Sequence, residues 1–413
     1  MSAVILHRGS LLTNPYHEWL ADYEGDLFLL ASQEYLDDFG EKLPAPGDGY
    51  RFAEAFRNFD NPEPVNGLAL RLAREHGAGQ IIACQELVLQ RAAELRQTLG
   101  LPGQTPESAL AFRDKLVMKQ YAERGGVPVA RHRAARSAED VRAFAAEQGL
   151  PIVLKPRDGA GSIDARVIRS AAELDAALGS PDGLRFPNML VESYVPGDMY
   201  HVNGVVVDGR TVLSWPSRYF NVLAEFKTGV SRIDVTLEPT DPLAARLVEF
   251  NERVLAALPG PAHFGFHTEI FLTPDGELVL CEIASRTGGA AVKEIIRAAF
   301  DVDLTRVMVR AQLGLPLGEL AERPRPEPTM MAGQLLMMKR PGVVRSLPDG
   351  PHFPWVRHYR MLVEPGQRLR RSNASSDMLA CMVVVGPDRA TCEARLRETR
   401  DYFDDAVVID PLE

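Results

Sequence analysis

Over the first hundred residues, short apolar runs alternate with longer segments of mixed polarity. Apolar residues recur at helical spacing over residues 88–99, and Gly-Leu-Pro-Gly at residues 100–103 ends that helix. Strands that alternate with helices predict a small parallel α/β domain over residues 1–104, the N-terminal domain. Three apolar runs have the length of buried strands: residues 4–6, 27–30 and 80–84.

From residue 105 the pattern changes to capped helices around a few short strands. The first helix is expected to carry Lys115 and Lys119 and to end at residues 125–126, with Lys119 on a solvated face. Helices packed on a small sheet are therefore predicted over residues 105–191, the small lobe. Three helix starts are marked by capping residues: Thr105, Ser137 and Ser170.

Strands dominate again in residues 192–413, the large lobe. Residues 202–207 and 211–213 form strands around an Asp-Gly turn, and residues 239–258 are helical. A helical pattern also runs from Ala290 to Phe300, and a proline-rich run at residues 322–328 leads into a last mixed segment. With 413 residues the chain exceeds a single hydrophobic core, which agrees with two or three domains.

Composition restricts the class of protein. The chain is 46% hydrophobic and 25% charged, as in ordinary soluble proteins, and its net charge of -10 argues against a nucleic-acid partner. Its four cysteines lack CxxC spacing, so a reducing cytoplasm is expected. The first apolar run lacks a basic leader, and the run at residues 378–385 is too short to cross a membrane.

The first candidate site is the loop after the strand-like run at residues 151–154. Lys155 leaves that strand and is followed by a turn of small residues, where backbone N–H groups can approach a polyphosphate. The same turn is also common between strands that bind nothing. The turn residues of interest are Gly159, Ala160, Gly161 and Ser162.

A strand edge beside one carboxylate is the second candidate. Glu192 is followed by Ser193, Tyr194 and Val195, and free backbone groups at such an edge can meet a purine. An exposed acidic residue before a Pro-Gly turn is the plainer alternative. Lys227 lies in a loop that could cover phosphates, although exposed loop lysines are common.

Two carboxylates flank a predicted hairpin turn at residues 274–277. Glu269 and Glu282 lie in the two flanking strands, so antiparallel pairing could place both on one face of the sheet. Two carboxylates held together favour a bound Mg²⁺ or Mn²⁺, since oxygen ligands suit these ions. Two unrelated surface glutamates remain the alternative.

An arginine and a glycine pair complete the set. Arg286 lies four residues after Glu282, and Gly288 and Gly289 precede the predicted helix, where an anion could bind. His267 lies two residues before Glu269 and therefore on the same strand face.

In this order, the lysine loop, edge carboxylate, paired carboxylates and arginine resemble the ATP-grasp superfamily. Residues 112–119 are similar to that family's first lysine motif, and residues 95–103 to the end of its N-terminal domain. Within the family, residues 267–270 and 282–286 look like the amino-acid ligases. The resemblance implies an α/β fold with α+β lobes, in which the N-terminal domain precedes two lobes that clasp ATP.

The resemblance also assigns roles to residues. Lys155, His267 and Arg286 would be catalytic, and His267, Arg286, Gly288 and Gly289 would contact substrate. Two positions depart from the family: Ala284 replaces an asparagine that helps hold the metal, and Met199 replaces a ribose-binding glutamate, for which Asp198 is the expected substitute. ATP would contact Lys115, Lys155, Gly159, Ala160, Gly161, Ser162, Glu192, Ser193, Tyr194, Val195 and Asp198, and the metal Glu269 and Glu282.

The implied activity is an ATP-dependent carboxylate–amine ligase that forms an amide through an acyl phosphate and releases ADP and phosphate. Its cofactors would be ATP with Mg²⁺ or Mn²⁺, and its partners small carboxylates and amines, amino acids above all. Neither a nucleic acid nor a membrane is expected, and a homodimer is left open. The alternatives are an ATP-grasp enzyme with a thiol, hydroxyl or bicarbonate acceptor, and a non-catalytic nucleotide-binding protein.

Overall fold

A computed structural model of the chain describes residues 1–45, 47–179, 184–220, 229–321, 325–374 and 377–412. Lys227 and the first part of the proline-rich run lie outside these ranges. The fold is mixed α/β, with one parallel and several antiparallel sheets, which confirms the predicted fold class.

The N-terminal domain is a four-stranded parallel sheet in the order β3-β2-β1-β4, with helices between its strands. The predicted apolar runs at residues 4–6 and 27–30 lie in β1 and β2. Both strands are buried on both faces, as is typical of parallel sheets. Strand β3 was not predicted, because its side chains are only half-buried and its apolar signal is weak. The elements are β1 Ser2–His7, α1 Tyr16–Trp19, β2 Leu27–Ser32, α2 Gln33–Phe39, β3 Phe52–Phe56, α3 Pro62–Glu75, β4 Ala78–Ala83 and α4 Leu89–Leu99.

A four-stranded antiparallel sheet in the order β5-β8-β6-β7 forms the small lobe. Helices α7 and α8 cover it with a core of its own. Strand β8 continues to Ser193, so Glu192 belongs to the small-lobe sheet and not to the start of the large lobe. The elements are α5 Pro106–Arg113, α6 Lys115–Arg124, β5 His132–Ala135, α7 Ala138–Gln148, β6 Ile152–Pro156, β7 Arg166–Ile168, α8 Ala171–Gly179 and β8 Met189–Ser193.

The single helix predicted after Thr105 is two helices in the structure. Asp114 lies between them in an extended conformation, and its carboxylate accepts hydrogen bonds from the N–H groups of Leu116 and Val117. It also pairs with Arg157 from the Lys155 loop. Asp114 is thus the N-cap of a second helix that begins at Lys115, and its pair with Arg157 holds this helix start against the Lys155 loop.

An eight-stranded sheet dominates the large lobe, in the order β13-β12-β9-β10-β11-β14-β18-β16. The last mixed segment, for which no architecture was predicted, supplies β14, β16 and β18 to this sheet. Its elements are β9 Asp198–Val207, β10 Arg210–Tyr219, β11 Arg232–Thr236, α9 Pro242–Ala257, β12 Phe264–Leu272, β13 Leu278–Ala284, α10 Val292–Phe300, α11 Leu304–Gln312, β14 Met331–Met338, β16 Val356–Met361, β18 Met378–Gly386 and α12 Arg389–Ala406. A small sheet beside it comprises β15 Gly342–Ser346, β17 Arg368–Leu369 and β19 Val408–Asp410.

One apolar core joins the N-terminal domain to the large lobe. Leu29 of the parallel sheet, Val205 of β9 and Ile295 of α10 are fully or almost fully buried in the same cluster. The two regions therefore pack as one body, and their boundary holds polar side chains as well.

Among the described helices, none is both long and apolar enough to cross a bilayer. All four cysteines are buried and free of disulfides.

Candidate functional site

A cleft lies between the small-lobe sheet and the β9–β12–β13 end of the large sheet. Its walls combine apolar side chains, such as Val153 and Phe271, with the glycine-rich loop after β6. Every residue that the sequence assigned to nucleotide or metal lines this one cleft: Lys115, Lys155, Gly159, Ala160, Gly161, Ser162, Glu192, Ser193, Tyr194, Val195, Asp198, Glu269 and Glu282.

Glu192 is held between two lysines at the floor of the cleft. Its Oε1 lies 2.5 Å from Lys155 Nζ, and its Oε2 lies 3.1 Å from Lys119 Nζ. Burial opposes ionisation of Glu192, but the two ammonium groups outweigh it and lower the carboxyl pKa to about 2. With both oxygens committed to lysines, a purine at this edge would be met by the backbone that follows Glu192.

The solvated face predicted for Lys119 is wrong. Its side chain is 1% exposed, and its Nζ also donates to the carbonyl of Cys281 at 3.4 Å. Helix α6 packs against β13, and the Glu192 carboxylate of β8 compensates the buried charge of Lys119. Lys119 lies four residues after Lys115, so the helical spacing already placed both ammonium groups on one face.

The two metal-site carboxylates lie directly opposite each other. Glu269 and Glu282 are register partners on β12 and β13, which confirms the predicted pairing across the hairpin. Lys115 Nζ lies 3.1 Å from Glu282 Oε2 and donates to the Gly159 carbonyl at 2.6 Å. Burial raises the pKa of Glu282, but the nearby lysines lower it further, so the net shift is downward and the carboxylate is ionised.

The donor set at this point fits a hard divalent cation. Two carboxylates face each other, and Tyr219 OH donates to Glu269 Oε1 at 3.3 Å, which leaves further oxygen lone pairs for a metal. Groups of three or more acidic, histidine or cysteine ligands are absent from the described part of the chain. Two carboxylates suit Mg²⁺, which is commonly bound by few protein ligands together with water and substrate phosphates.

A buried polar chain extends from Glu269 across the large sheet. His267 Nε2 lies 3.5 Å from Glu269 Oε1, and His267 Nδ1 lies 2.8 Å from Asn203 Oδ1. Asn203 Nδ2 lies 2.6 Å from His201 Nδ1, and His201 Nε2 lies 2.5 Å from Asp234 Oδ2. His201 is fully buried in this chain of contacts.

The chain of contacts fixes which nitrogen of His267 is free. The amide oxygen of Asn203 can only accept, so His267 donates from Nδ1, and its Nε2 lone pair lies on the side of Glu269, which itself lines the cleft. Burial lowers the pKa of His267 despite the neighbouring Glu269, which favours this neutral form. His267 is therefore a neutral imidazole whose orientation is fixed by Asn203 and which lies next to Glu269.

Arg286 reaches across to the N-terminal domain. Its Nε donates to Glu86 Oε2 at 2.7 Å, and its Nη1 donates to the carbonyl of Thr287 at 2.8 Å. Arg113 also approaches Glu86, at 3.7 Å. Arg286 is thus not among the residues that line the cleft. It lies where the end of β13 meets Glu86 of the N-terminal domain and Arg113 of α5.

Gly288 and Gly289 precede helix α10, which begins later than predicted. The predicted helix start at Ala290 is wrong, because Ala290 has a φ of +54° and α10 begins at Val292. A side chain at Gly288 would place its Cβ 2.8 Å from Asn203 Oδ1 and 2.6 Å from Val292 Cγ1. This glycine therefore packs the turn tightly against the buried polar chain.

The predicted ribose residue, Asp198, lines the cleft and pairs with Arg218 at 2.9 Å. Met199 lines the cleft as well and is 9% exposed. Sequence reasoning missed four participants, namely Lys119, Asn203, Tyr219 and Asp234. For Asn203 the signal was its position two residues after His201, which places both on one strand face.

Comparison with known proteins gives one consistent picture. No family model matches the chain. It is 28% identical over 250 residues to an L-arginine-specific L-amino acid ligase of Bacillus subtilis, an alignment that covers 58% of this chain and 59% of that protein. The chain thus spans less than two thirds of that relative.

Solved structures match over the whole chain. An L-amino acid ligase from Bacillus licheniformis superposes with a TM-score of 0.76 at 15% identity, covering 100% of this chain and 99% of the other. A carboxyaminoimidazole ribonucleotide synthase from Aspergillus clavatus, complexed with ATP, gives 0.73 at 17% identity and covers 98% of each chain. Both have the ATP-grasp fold, and at these identities the match establishes the fold.

Proposed function

Because this chain belongs to the ATP-grasp superfamily and resembles its amino-acid ligases, we propose that it is an ADP-forming ligase that joins a carboxylate to an amine. The observation that carries the proposal is the convergence of Lys115, Lys155, Glu269 and Glu282 in one cleft between two lobes. Two cations and two carboxylates around one cleft suit a nucleotide polyphosphate and its metal ion.

In the first step, an oxygen of the substrate carboxylate attacks the γ-phosphorus of ATP. The bond between this phosphorus and its bridging oxygen breaks, which gives an acyl phosphate and ADP. Lys155 and Lys115 neutralise phosphate charge, and the backbone of residues 159–162 holds the phosphate chain in line. Glu269 and Glu282 would hold Mg²⁺, or Mn²⁺ in its place, which supplies charge neutralisation when bound.

In the second step, an amine attacks the acyl carbon, an amide bond forms and orthophosphate leaves. Arg286 would stabilise negative charge near the acyl group, with the turn at Gly288 and Gly289 shaping the space beside it. His267 presents its free Nε2 towards this region, where it can accept the proton that the attacking amine loses. The Asp234–His201–Asn203 contacts keep that nitrogen unprotonated and aimed.

Amino acids are the proposed substrates. The relative from Bacillus subtilis is an amino-acid ligase by name, and Arg286 offers a guanidinium that could bind a carboxylate. The interface between the N-terminal domain and the large lobe would bind the acceptor, because Arg286 and Glu86 meet there. The net acidic chain gives no reason to expect a polyanionic partner.

Hydroxylamine tests the proposal directly, since it intercepts an acyl phosphate as a hydroxamate whatever the natural amine. The enzyme, Mg-ATP and hydroxylamine are incubated with amino acids singly, and hydroxamate and nucleotide products are quantified by chromatography. We expect ADP, phosphate and a hydroxamate, with the hydroxamate replaced by a dipeptide when a second amino acid is added. Glu282→Gln is the control for a contaminating activity.

Other outcomes would change the assignment. AMP and pyrophosphate as the main products would contradict the acyl-phosphate route. ATP consumption that requires bicarbonate, a thiol or a hydroxyl compound, without an amine, would assign the chain to another ATP-grasp reaction. Nucleotide binding without turnover for any acceptor would support a non-catalytic role.

A further inference from the structure

A second cavity, separate from the nucleotide cleft, lies between the N-terminal domain and the large lobe. Its volume is about 240 Å³, which corresponds to roughly eight water molecules at about 30 Å³ each. Gln80 and Arg96 line it from the N-terminal domain, Gln104 from the connection to the small lobe, and Ser285 and Gln312 from the large lobe.

Arg96 is the unusual member of this lining. The residue is 4% exposed, and its described partners are all neutral: Nε donates to Gln80 Oε1 at 3.2 Å and to the Ile81 carbonyl at 3.0 Å, and Nη2 donates to the same carbonyl. Nη1 has no hydrogen-bond partner among the described residues. Burial lowers the pKa of Arg96 to about 10, so the guanidinium still carries its charge at neutral pH.

Two other enclosed arginines of this chain, Arg310 and Arg286, have carboxylate partners. Arg310 forms a two-pronged pair with Asp22, and Arg286 pairs with Glu86. No described carboxylate forms an ion pair with Arg96. Because a buried charge without a counter-charge is costly, its partner is expected to come from outside the chain.

The remaining lining can donate hydrogen bonds and adds no negative charge. Gln104 Nε2 donates to Ser285 Oγ at 2.8 Å, and Gln312 has one amide end that is buried without a partner. Gln312 Nε2 donates to the His263 carbonyl at 3.4 Å, so its end without a partner is the amide oxygen, and the Ser285 hydroxyl is the neutral donor left to face a ligand. Gly103 lies over Arg96, where a Cβ would stand 3.0 Å from Arg96 Cδ, and its φ of +122° favours glycine.

We propose that this cavity binds a small oxyanion, either a carboxylate or a phosphate, with the Arg96 guanidinium as its anchor. The planar guanidinium matches the paired oxygens of such groups. The ligand would join residues of the N-terminal domain to residues of the large lobe and would stabilise their interface. Ser285 directly precedes Arg286, so the bound oxyanion would lie one residue from the proposed acceptor site.

The test is a thermal-shift titration of the intact protein with inorganic phosphate in one arm and succinate in the other, against sodium chloride at matched ionic strength. We expect one or both oxyanions to raise the melting temperature by on the order of 1–3 °C in a saturable manner. The arm that responds identifies the source of the oxyanion. A wild-type protein that responds to neither beyond the chloride control overturns the proposal.

Three variants locate the response. Arg96→Met should abolish it, and Lys155→Met, which alters the nucleotide cleft, should retain it. Gln312→Glu covers the case in which Arg96→Met does not fold: it adds a carboxylate to the lining of the same cavity as Arg96, and should raise the melting temperature without ligand and remove the response. A response that persists in Gln312→Glu, or that disappears in Lys155→Met, contradicts the assignment.

Discussion

Lys119 Nζ lies 3.1 Å from Glu192 Oε2, and both side chains are almost completely buried. Lys155 occupies the other oxygen of the same carboxylate. This three-charge cluster ties helix α6 to strands β6 and β8 of the small lobe. Two positive charges against one negative charge leave the floor of the cleft positive, which favours a bound polyphosphate.

Lys119 should therefore matter for stability as much as Lys155 matters for the nucleotide. We expect Lys119→Met to lower the free energy of unfolding by about 3 kcal/mol, because breaking a buried pair leaves Glu192 with one partner. Urea denaturation measures this change. The exposed Lys42→Met is the control for loss of a lysine, and equal stability of the two variants would show that the Lys119 pair contributes nothing.

Lys155 should matter mainly for nucleotide binding and phosphoryl transfer. Lys155→Ala is expected to weaken ATP binding or phosphoryl transfer by on the order of 100-fold, since it removes a charge that faces the phosphates. Nucleotide affinity and kcat, measured beside Lys119→Met, separate the two roles. If Lys119→Met lost nucleotide affinity to the same extent while remaining folded, both lysines would contact the phosphates.

Acid should weaken the fold through Glu192. Its pKa is lowered from the ordinary value of 4.5 to about 2, so its ionised form stabilises the native state above pH 4.5. That contribution, about 3 kcal/mol, is lost as the pH falls from 4.5 towards 2. Unfolding free energies from urea titrations at several pH values should converge for wild type and Glu192→Gln in this window.

The pH experiment has a matched control at the protein surface. Glu63→Gln, at an exposed position, measures the effect of removing one carboxylate from the surface. A constant difference between wild type and Glu192→Gln down to pH 2 would mean that the Glu192 carboxylate is not stabilised by its lysines.

Glu282→Gln should lose activity while keeping the fold. The amide preserves shape but removes one charge from the carboxylate pair, and Ala284 offers no replacement ligand, so kcat is expected to fall about 100- to 1000-fold. Glu269→Gln should behave similarly. Steady-state kinetics across a magnesium titration, with circular dichroism for the fold, gives the answer, and near-normal rates at modest magnesium would make these glutamates structural.

Asn203 should act on the reaction through His267. Asn203→Ala removes the acceptor that holds His267 Nδ1, so kcat is expected to fall about 10- to 100-fold with a smaller change in KM for ATP. The matched control is Asn251→Ala. Asn251 is equally buried and accepts a hydrogen bond from Thr268, which follows His267 on β12 and lies on the opposite face of that strand. A loss of stability without a change in kcat in both variants would leave Asn203 with a packing role alone.

The sequence alone predicted the parallel N-terminal sheet, several helix starts and the opposed carboxylates. These features depend on local rules: apolar runs mark buried strands, capping residues mark helix starts, and the turn at residues 274–277 sets the pairing of Glu269 with Glu282. The order of the lysine loop, the carboxylates and Arg286 then indicated the superfamily.

Tertiary structure decided what depends on contacts between distant segments. Lys119 is a charged residue on a polar helix, and only the approach of β8, more than seventy positions later, makes it a buried ion-pair partner. The His267–Asn203–His201–Asp234 chain and the Arg96 cavity likewise join side chains from separate strands or lobes. Because no local pattern specifies which buried polar groups meet, only the packed fold could show these contacts.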